Sequence, residues 1–221
     1  MNVLVVGASR GIGLEFVRQY RAAGDRVVAT ARDDTALARL RTLGADALAL
    51  DVASAESASR LGWQIEGLVF DVAVVCAGVY GPRTGGLQPP TEAEFDTVMR
   101  TNVLGPMRLL PQVAEALAPG ARIAVLSSVL GSVDRCDGTH GWVYRASKAA
   151  VNSVMKVASL ALATKAIVIS FHPGWVRTDM GGADAEIDAS ASIAGMRTVL
   201  ATVKPSDTGS FFNYDGQRLP W

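Results

Sequence analysis

Short runs of apolar, mostly β-branched residues alternate with longer stretches whose apolar side chains recur every three or four positions. The runs predict strands at Val3–Val6, Arg26–Thr30, Ala47–Leu50, Leu68–Val75, Ala121–Ser127 and Ala166–Phe171. They are apolar on successive rather than alternate residues, as strands covered on both faces require. The longer stretches predict helices at Ile12–Ala23, Asp33–Leu43, Ser54–Ile65, Thr91–Ala118 (broken near Gly105-Pro106), Tyr144–Thr164 and Ala189–Val203. Val79–Pro90, VYGPRTGGLQPP, reads as loop. Strand–helix alternation predicts right-handed crossovers and a doubly wound α/β sheet. No linker or repeat divides the 221 residues, so one domain is expected.

Composition narrows the function classes. With 49% hydrophobic and 19% charged residues, the chain is not a disordered one. Lys plus Arg equals Asp plus Glu, 21 each, so no basic excess points to nucleic acid or a membrane surface. No run of roughly 18 apolar residues predicts a transmembrane helix. Val3–Val6 lacks a basic leader and ends at Gly7, unlike a signal peptide. Two cysteines, Cys76 and Cys136, cannot build a disulfide framework, and a reduced, cytoplasmic setting is expected.

Four features carry chemistry. Gly7-Ala8-Ser9-Arg10-Gly11-Ile12-Gly13 follows a predicted strand and opens a helix. Such a turn brings backbone close to a pyrophosphate at a helix N-terminus, although its spacing is G-x-x-x-G-x-G. After strand two, where an acid would bind a ribose 2′-hydroxyl, stand Ala31 and Arg32. With Arg10 they suggest a 2′-phosphate, hence NADP(H), tempered by Asp33 and Asp34. Tyr144 and Lys148 share a helix face, where an ammonium would lower the phenol's pKa toward working pH. Ser127-Ser128 ends a strand at the edge where open α/β sheets bind ligands. Singly, these also read as a plain turn, solvated arginines, helix surface and a helix cap.

Together with His172-Pro173-Gly174, and in this order, they resemble the short-chain dehydrogenase/reductase family. HPGWVRTDMGG (His172–Gly182) and GQRLPW (Gly216–Trp221) look like its sniffer-type carbonyl reductases and C-factor-like proteins. The resemblance implies a single Rossmann-like domain with a seven-stranded parallel sheet in the order 3-2-1-4-5-6-7. It implies that Gly7, Ser9, Arg10, Gly11, Ile12 and Gly13 cradle cofactor phosphates and that Asp51-Val52 contacts adenine. Ala77 and Gly78 would pass the ribose, while Pro173, Gly174, Val176 and Thr178 flank the nicotinamide. Ser128, Tyr144 and Lys148 would be catalytic, with Asn102 supporting a relay water. The activity implied is NADP(H)-dependent reduction of a small-molecule aldehyde or ketone, or the reverse alcohol oxidation. The alternative is a cofactor-binding sensor or signalling protein on the same fold.

The family's Asn-Asn-Ala-Gly is here Val75-Cys76-Ala77-Gly78, with Cys76 read as a small buried hydrophobe. Asp134, Cys136, Asp137, His140 and Trp142 cluster before Tyr144 without a ligand spacing, so no metal is expected. No G-x-S-x-G elbow supports a hydrolase. Small residues on Val103–Ala118 and Tyr144–Thr164 suggest a homodimer across two helices, as in the resembling family. Val79-Tyr80, Trp142 and Trp175 would wall an open substrate pocket over Val129-Leu130, under a thin lid at Asp179–Glu186.

Overall fold

The computed structural model describes residues 1–221. Seven parallel strands lie in the expected order 3-2-1-4-5-6-7, and an eighth, antiparallel to the seventh, closes the edge. They are β1 (Asn2–Val6), β2 (Arg26–Ala31), β3 (Asp46–Ala49), β4 (Phe70–Val75), β5 (Leu117–Leu126), β6 (Ala166–His172), β7 (Ser210–Asn213) and β8 (Arg218–Leu219). The seven expected parallel strands are thus present in order, and β8 adds an antiparallel edge beyond them. Gly216, at φ +93°, turns the chain so that the Gly216 N–H meets the Asn213 carbonyl at 3.0 Å.

Strand burial explains the unbroken apolar runs. Val3 and Val5 of β1 join one core cluster, while Leu4 and Val6 join the other. The first cluster packs under α1 (Gly11–Ala22), α2 (Asp34–Thr42) and α8 (Ala189–Thr202). The second packs under α3 (Ala55–Ser59), α4 (Leu61–Gln64), α6 (Gly105–Glu115) and α7 (Trp142–Ala161). The central strands therefore bury both faces, the edge strand β3 is only partly covered, and the carboxyl ends are left free for a site.

Three boundaries differ from expectation. Ser54–Ile65 splits at Arg60 into α3 and α4. The long helix from Thr91 divides into α5 (Glu92–Met99), a π-helical turn at Arg100–Leu104, and α6. Thr91 caps α5 in a reciprocal box with Glu94. Pro106 lacks an N–H and starts α6 in its first turn, which widens the helix there instead of breaking it. The expected end at Ala118 belongs to β5, which begins at Leu117.

Candidate active site

The carboxyl ends of β1, β2 and β4 open into a groove of about 230 Å³. Its floor is the glycine turn. Gly7 has φ +84°, and a Cβ there would lie 2.6 Å from the Ala77 N. A Cβ on Gly13 would overlap the Gly7 carbonyl oxygen. Glycine at both positions lets the turn touch the end of β4 and the start of α1. Helix α1 has no side-chain cap. Its first N–H groups and positive dipole end are left at a groove lined by Ser9, Arg10, Gly11, Ile12 and Gly13. An anionic phosphate fits that cradle.

Arg32 stands exposed on the groove rim at the end of β2. Asp33 turns the other way, and its carboxylate accepts the Ala36 N–H at 2.8 Å as the cap of α2. Arg10 is paired across the groove with Asp179, Nη1 to Oδ2 at 2.7 Å. A third guanidinium, Arg39, donates to the Ser9 carbonyl at 3.2 Å. On the adjacent wall, Asp51 Oδ1 accepts the Ala53 N–H at 3.0 Å, with Val52 beside it.

At the far end, Tyr144 and Lys148 lie one turn apart on α7, both buried. Lys148 Nζ donates to the Leu126 carbonyl at 2.7 Å and lies 5.5 Å from the Tyr144 ring centroid. Ser128 stands beside the Tyr144 hydroxyl, and its Oγ accepts the Leu130 N–H at 3.2 Å. It is thus both the cap that its position suggests and a neighbour of the phenol. Gly131 holds this segment on α7, because a Cβ there would lie 2.6 Å from the Lys148 carbonyl carbon. Gly78 passes between Asn102 and Lys148, where a Cβ would sit 3.4 Å from Asn102 Oδ1 and 3.5 Å from Lys148 Nζ.

The electrostatics correct one expectation. Burial pushes the Tyr144 phenol up, and Ser128 beside it only opposes this. Lys148 does not lower it, because its own ammonium, made less stable by burial, loses its proton before the phenol does. Burial brings Lys148 down to about 8. Tyr144 therefore rests protonated. Burial also pushes the Cys76 thiol up, so it is a neutral side chain in the groove wall, packed against the first core cluster. Burial and Arg135 hold His172 down to about 4, which keeps it neutral.

Asn102 lies in the π-helical turn. Its Oδ1 accepts the Val79 N–H at 2.9 Å, while Nδ2 donates to the Val79 carbonyl and to Ser147 Oγ at 2.8 and 2.9 Å. Pro173 and Thr178 line the groove, but Gly174 and Val176 do not. Gly174 turns at φ +82° against Ile187 and Tyr214, and Val176 is buried in a bridge to Ile187. Among the expected pocket walls, Trp175 is exposed and donates to the Gly181 carbonyl at 2.8 Å, so it braces the lid. Trp142 is half-buried at the start of α7. The polar cluster before Tyr144 is tied by Arg145, which donates to the His140 carbonyl at 3.0 Å and faces Cys136 and Asp137.

The short chain dehydrogenase family model matches residues 1–188. The chain belongs to that family, whose members use a nicotinamide cofactor. This short-chain dehydrogenase is 36% identical to the C-signal protein of Myxococcus xanthus over 154 residues, covering 68% of this chain and 92% of that one. It superposes on the carbonyl reductase Sniffer of Drosophila melanogaster with a TM-score of 0.89 at 28% identity, covering 100% and 99% of the two chains. A carbonyl reductase of Pseudomonas aeruginosa in complex with NADP gives a TM-score of 0.85 at 30% identity and the same coverage.

Three residues around the short-chain dehydrogenase groove take roles that the sequence reading did not give them. Leu126 serves through its backbone carbonyl, which no residue type announces. Ser147 lies within the Tyr-x-x-x-Lys motif, three residues after Tyr144 on the same helix. Asp179, expected only as the start of the lid, pairs with Arg10.

Proposed function

We propose that this short-chain dehydrogenase is an NADP(H)-dependent carbonyl reductase that converts an aldehyde or ketone to the alcohol. The observation that carries the reading is Ser128 beside the Tyr144 hydroxyl with buried Lys148 one turn on, at the end of a groove with a glycine-turn cradle. Gly7, Ser9, Gly11, Ile12 and Gly13 would hold the cofactor phosphates, with Arg10 and Arg32 on the 2′-phosphate. Asp51 and Val52 would meet adenine, Ala77, Gly78 and Lys148 the ribose, and Pro173 and Thr178 the nicotinamide. Gly174 and Val176 shape the turn behind them.

The cofactor, when bound, supplies hydride to the carbonyl carbon. Tyr144, protonated at rest, gives its proton to the carbonyl oxygen. Ser128 donates a hydrogen bond to that oxygen as charge develops. Lys148 lies behind the phenol as the proton leaves. Asn102 Oδ1, with one lone pair on Val79, keeps a second for the water that returns a proton. A resting protonated acid favours reduction over alcohol oxidation.

The test is NADPH oxidation against a panel of aldehydes, ketones and quinones. Turnover with NADPH, lost in Tyr144→Phe, supports the reductase. Likeness to C-signal favours a second reading, a cofactor-binding signalling protein. NADPH bound without turnover across the panel would favour it. Free Cys76 and Cys136 suit a reducing cytoplasm. Exposed Phe95, Met107, Val157 and Leu160 on α5, α6 and α7 suit a homodimer through these helices. Light scattering at the monomer mass would refute the dimer.

A further inference from the structure

Tyr80 lies in the loop after β4, yet its ring stacks on that of Tyr144, centroids 4.6 Å apart and planes 24° apart. Three contacts fix it there. Asn102 clamps the preceding residue, Val79, by both its N–H and its carbonyl. Gly141, at φ +63°, supports the phenol, since a Cβ there would lie 2.5 Å from the Tyr80 hydroxyl oxygen. The Gly141 N–H also donates to the Thr84 carbonyl at 3.0 Å, which closes the loop against the start of α7. The Arg83 guanidinium lies over the Tyr80 ring, 5.2 Å from its centroid, and donates to the Met180 carbonyl at 3.2 Å. A continuous ladder thus runs from Tyr144 through Tyr80 and Arg83 to the lid.

Ring contact at this distance leaves no room for a substrate group between the two tyrosines. We infer that Tyr80 is the specificity-determining residue of this site, which admits aldehydes and methyl ketones and rejects ketones bulky on both sides. The substituent nearest the ladder must be a hydrogen or a methyl, because Tyr80 occupies the space that a larger one needs. Asn102 is then a positioning residue for Tyr80, since both its N–H donors are spent on Val79 and Ser147. The inference rests on the carbonyl-reductase reading above and names its substrate class.

The experiment compares benzaldehyde with benzophenone in the native protein, Tyr80→Ala, Tyr80→Phe and Arg83→Ala. Tyr80→Ala should raise the benzophenone-to-benzaldehyde ratio of kcat/KM by roughly tenfold or more, as removal of a packed group from a pocket does. The gain should lie in the benzophenone KM, with the NADPH Kd unchanged. Tyr80→Phe retains the ring and should keep the native ratio. Arg83→Ala, at an exposed position, should shift the ratio less and in the same direction. It keeps the inference testable if Tyr80→Ala does not fold. An unchanged ratio in Tyr80→Ala and Arg83→Ala, with both substrates falling together, overturns the inference. A second readout needs no turnover: N-acetylimidazole should label Tyr144 faster in Tyr80→Ala than in the native protein. Equal labelling overturns the inference. Absence of any carbonyl turnover together with faster labelling sinks the reductase reading and leaves the Tyr80 cover intact.

Discussion

Replacing Lys148 by Met should stabilise the cofactor-free protein at neutral pH while removing its activity. Lys148 is 5% exposed, and burial lowers its pKa from 10.5 to about 8. The unfolded chain holds this proton more tightly than the folded one, so a charged Lys148 costs stability. The cost is complete below about pH 8, shrinks between pH 8 and 10.5, and vanishes above 10.5. At 1.36 kcal/mol per pH unit it amounts to about 3 kcal/mol. Met keeps a similar volume but deprives the Leu126 carbonyl of its 2.7 Å donor, a loss of about 1 kcal/mol. The net expectation at pH 7 is a gain of about 2 kcal/mol in Lys148→Met, turning into a deficit of about 1 kcal/mol above pH 10.5. Urea unfolding followed by tryptophan fluorescence, on both proteins at both pH values, measures the difference with other titrating groups cancelled. A Lys148→Met protein less stable than native by the same amount at pH 7 and above 10.5 refutes the reasoning.

Three further outcomes are expected. Tyr144→Phe should lower turnover about 10²–10⁴-fold while keeping NADPH affinity; native-like rates would assign the proton to another group. Arg32→Ala should weaken NADPH by about 1.5–3 kcal/mol in a fluorescence titration and leave NADH unchanged, whereas Arg10→Ala should cost less because Asp179 already engages Arg10. Equal losses for the two cofactors would refute a 2′-phosphate role. Gly131→Ala would press a Cβ onto the Lys148 and Ala149 backbone, and a melt should show a loss of about 1–3 kcal/mol together with slower turnover. An unchanged melting temperature would show that the segment yields freely.

Strands β1, β2, β4, β5 and β6 were legible because parallel strands buried on both faces write unbroken apolar runs, and the edge strand β3 was read from the shorter run Ala47–Leu50. β7 was not placed, since it offers only Phe211 and Phe212 between polar neighbours and pairs through β6. β8 is two residues long and exists through the Gly216 turn. At the site, residue types could be read but directions could not. The Tyr144–Lys148 spacing gave the shared helix face, yet the ammonium turns to a backbone carbonyl that no sequence pattern marks. Arg10 carried a phosphate-binding signal, but its partner Asp179 lies 169 residues away. Tyr80 was expected as a wall, whereas its stacking on Tyr144 depends on Asn102, which clamps Val79 from the π-helical turn 23 residues on.

The pair that joins the glycine turn to the lid is open to water, with side chains 72% and 70% exposed. Its attraction is screened over about 8 Å at physiological ionic strength and over about 30 Å in dilute buffer. The hold of Arg10 on Asp179 is therefore a property of the solution as much as of the chain. As salt rises, this pair weakens and the Arg10 guanidinium is freed, while Tyr80, held by the Asn102 hydrogen bonds to Val79 and by ring contact with Tyr144, stays in place. Low salt tightens the mouth of the groove without reshaping its interior.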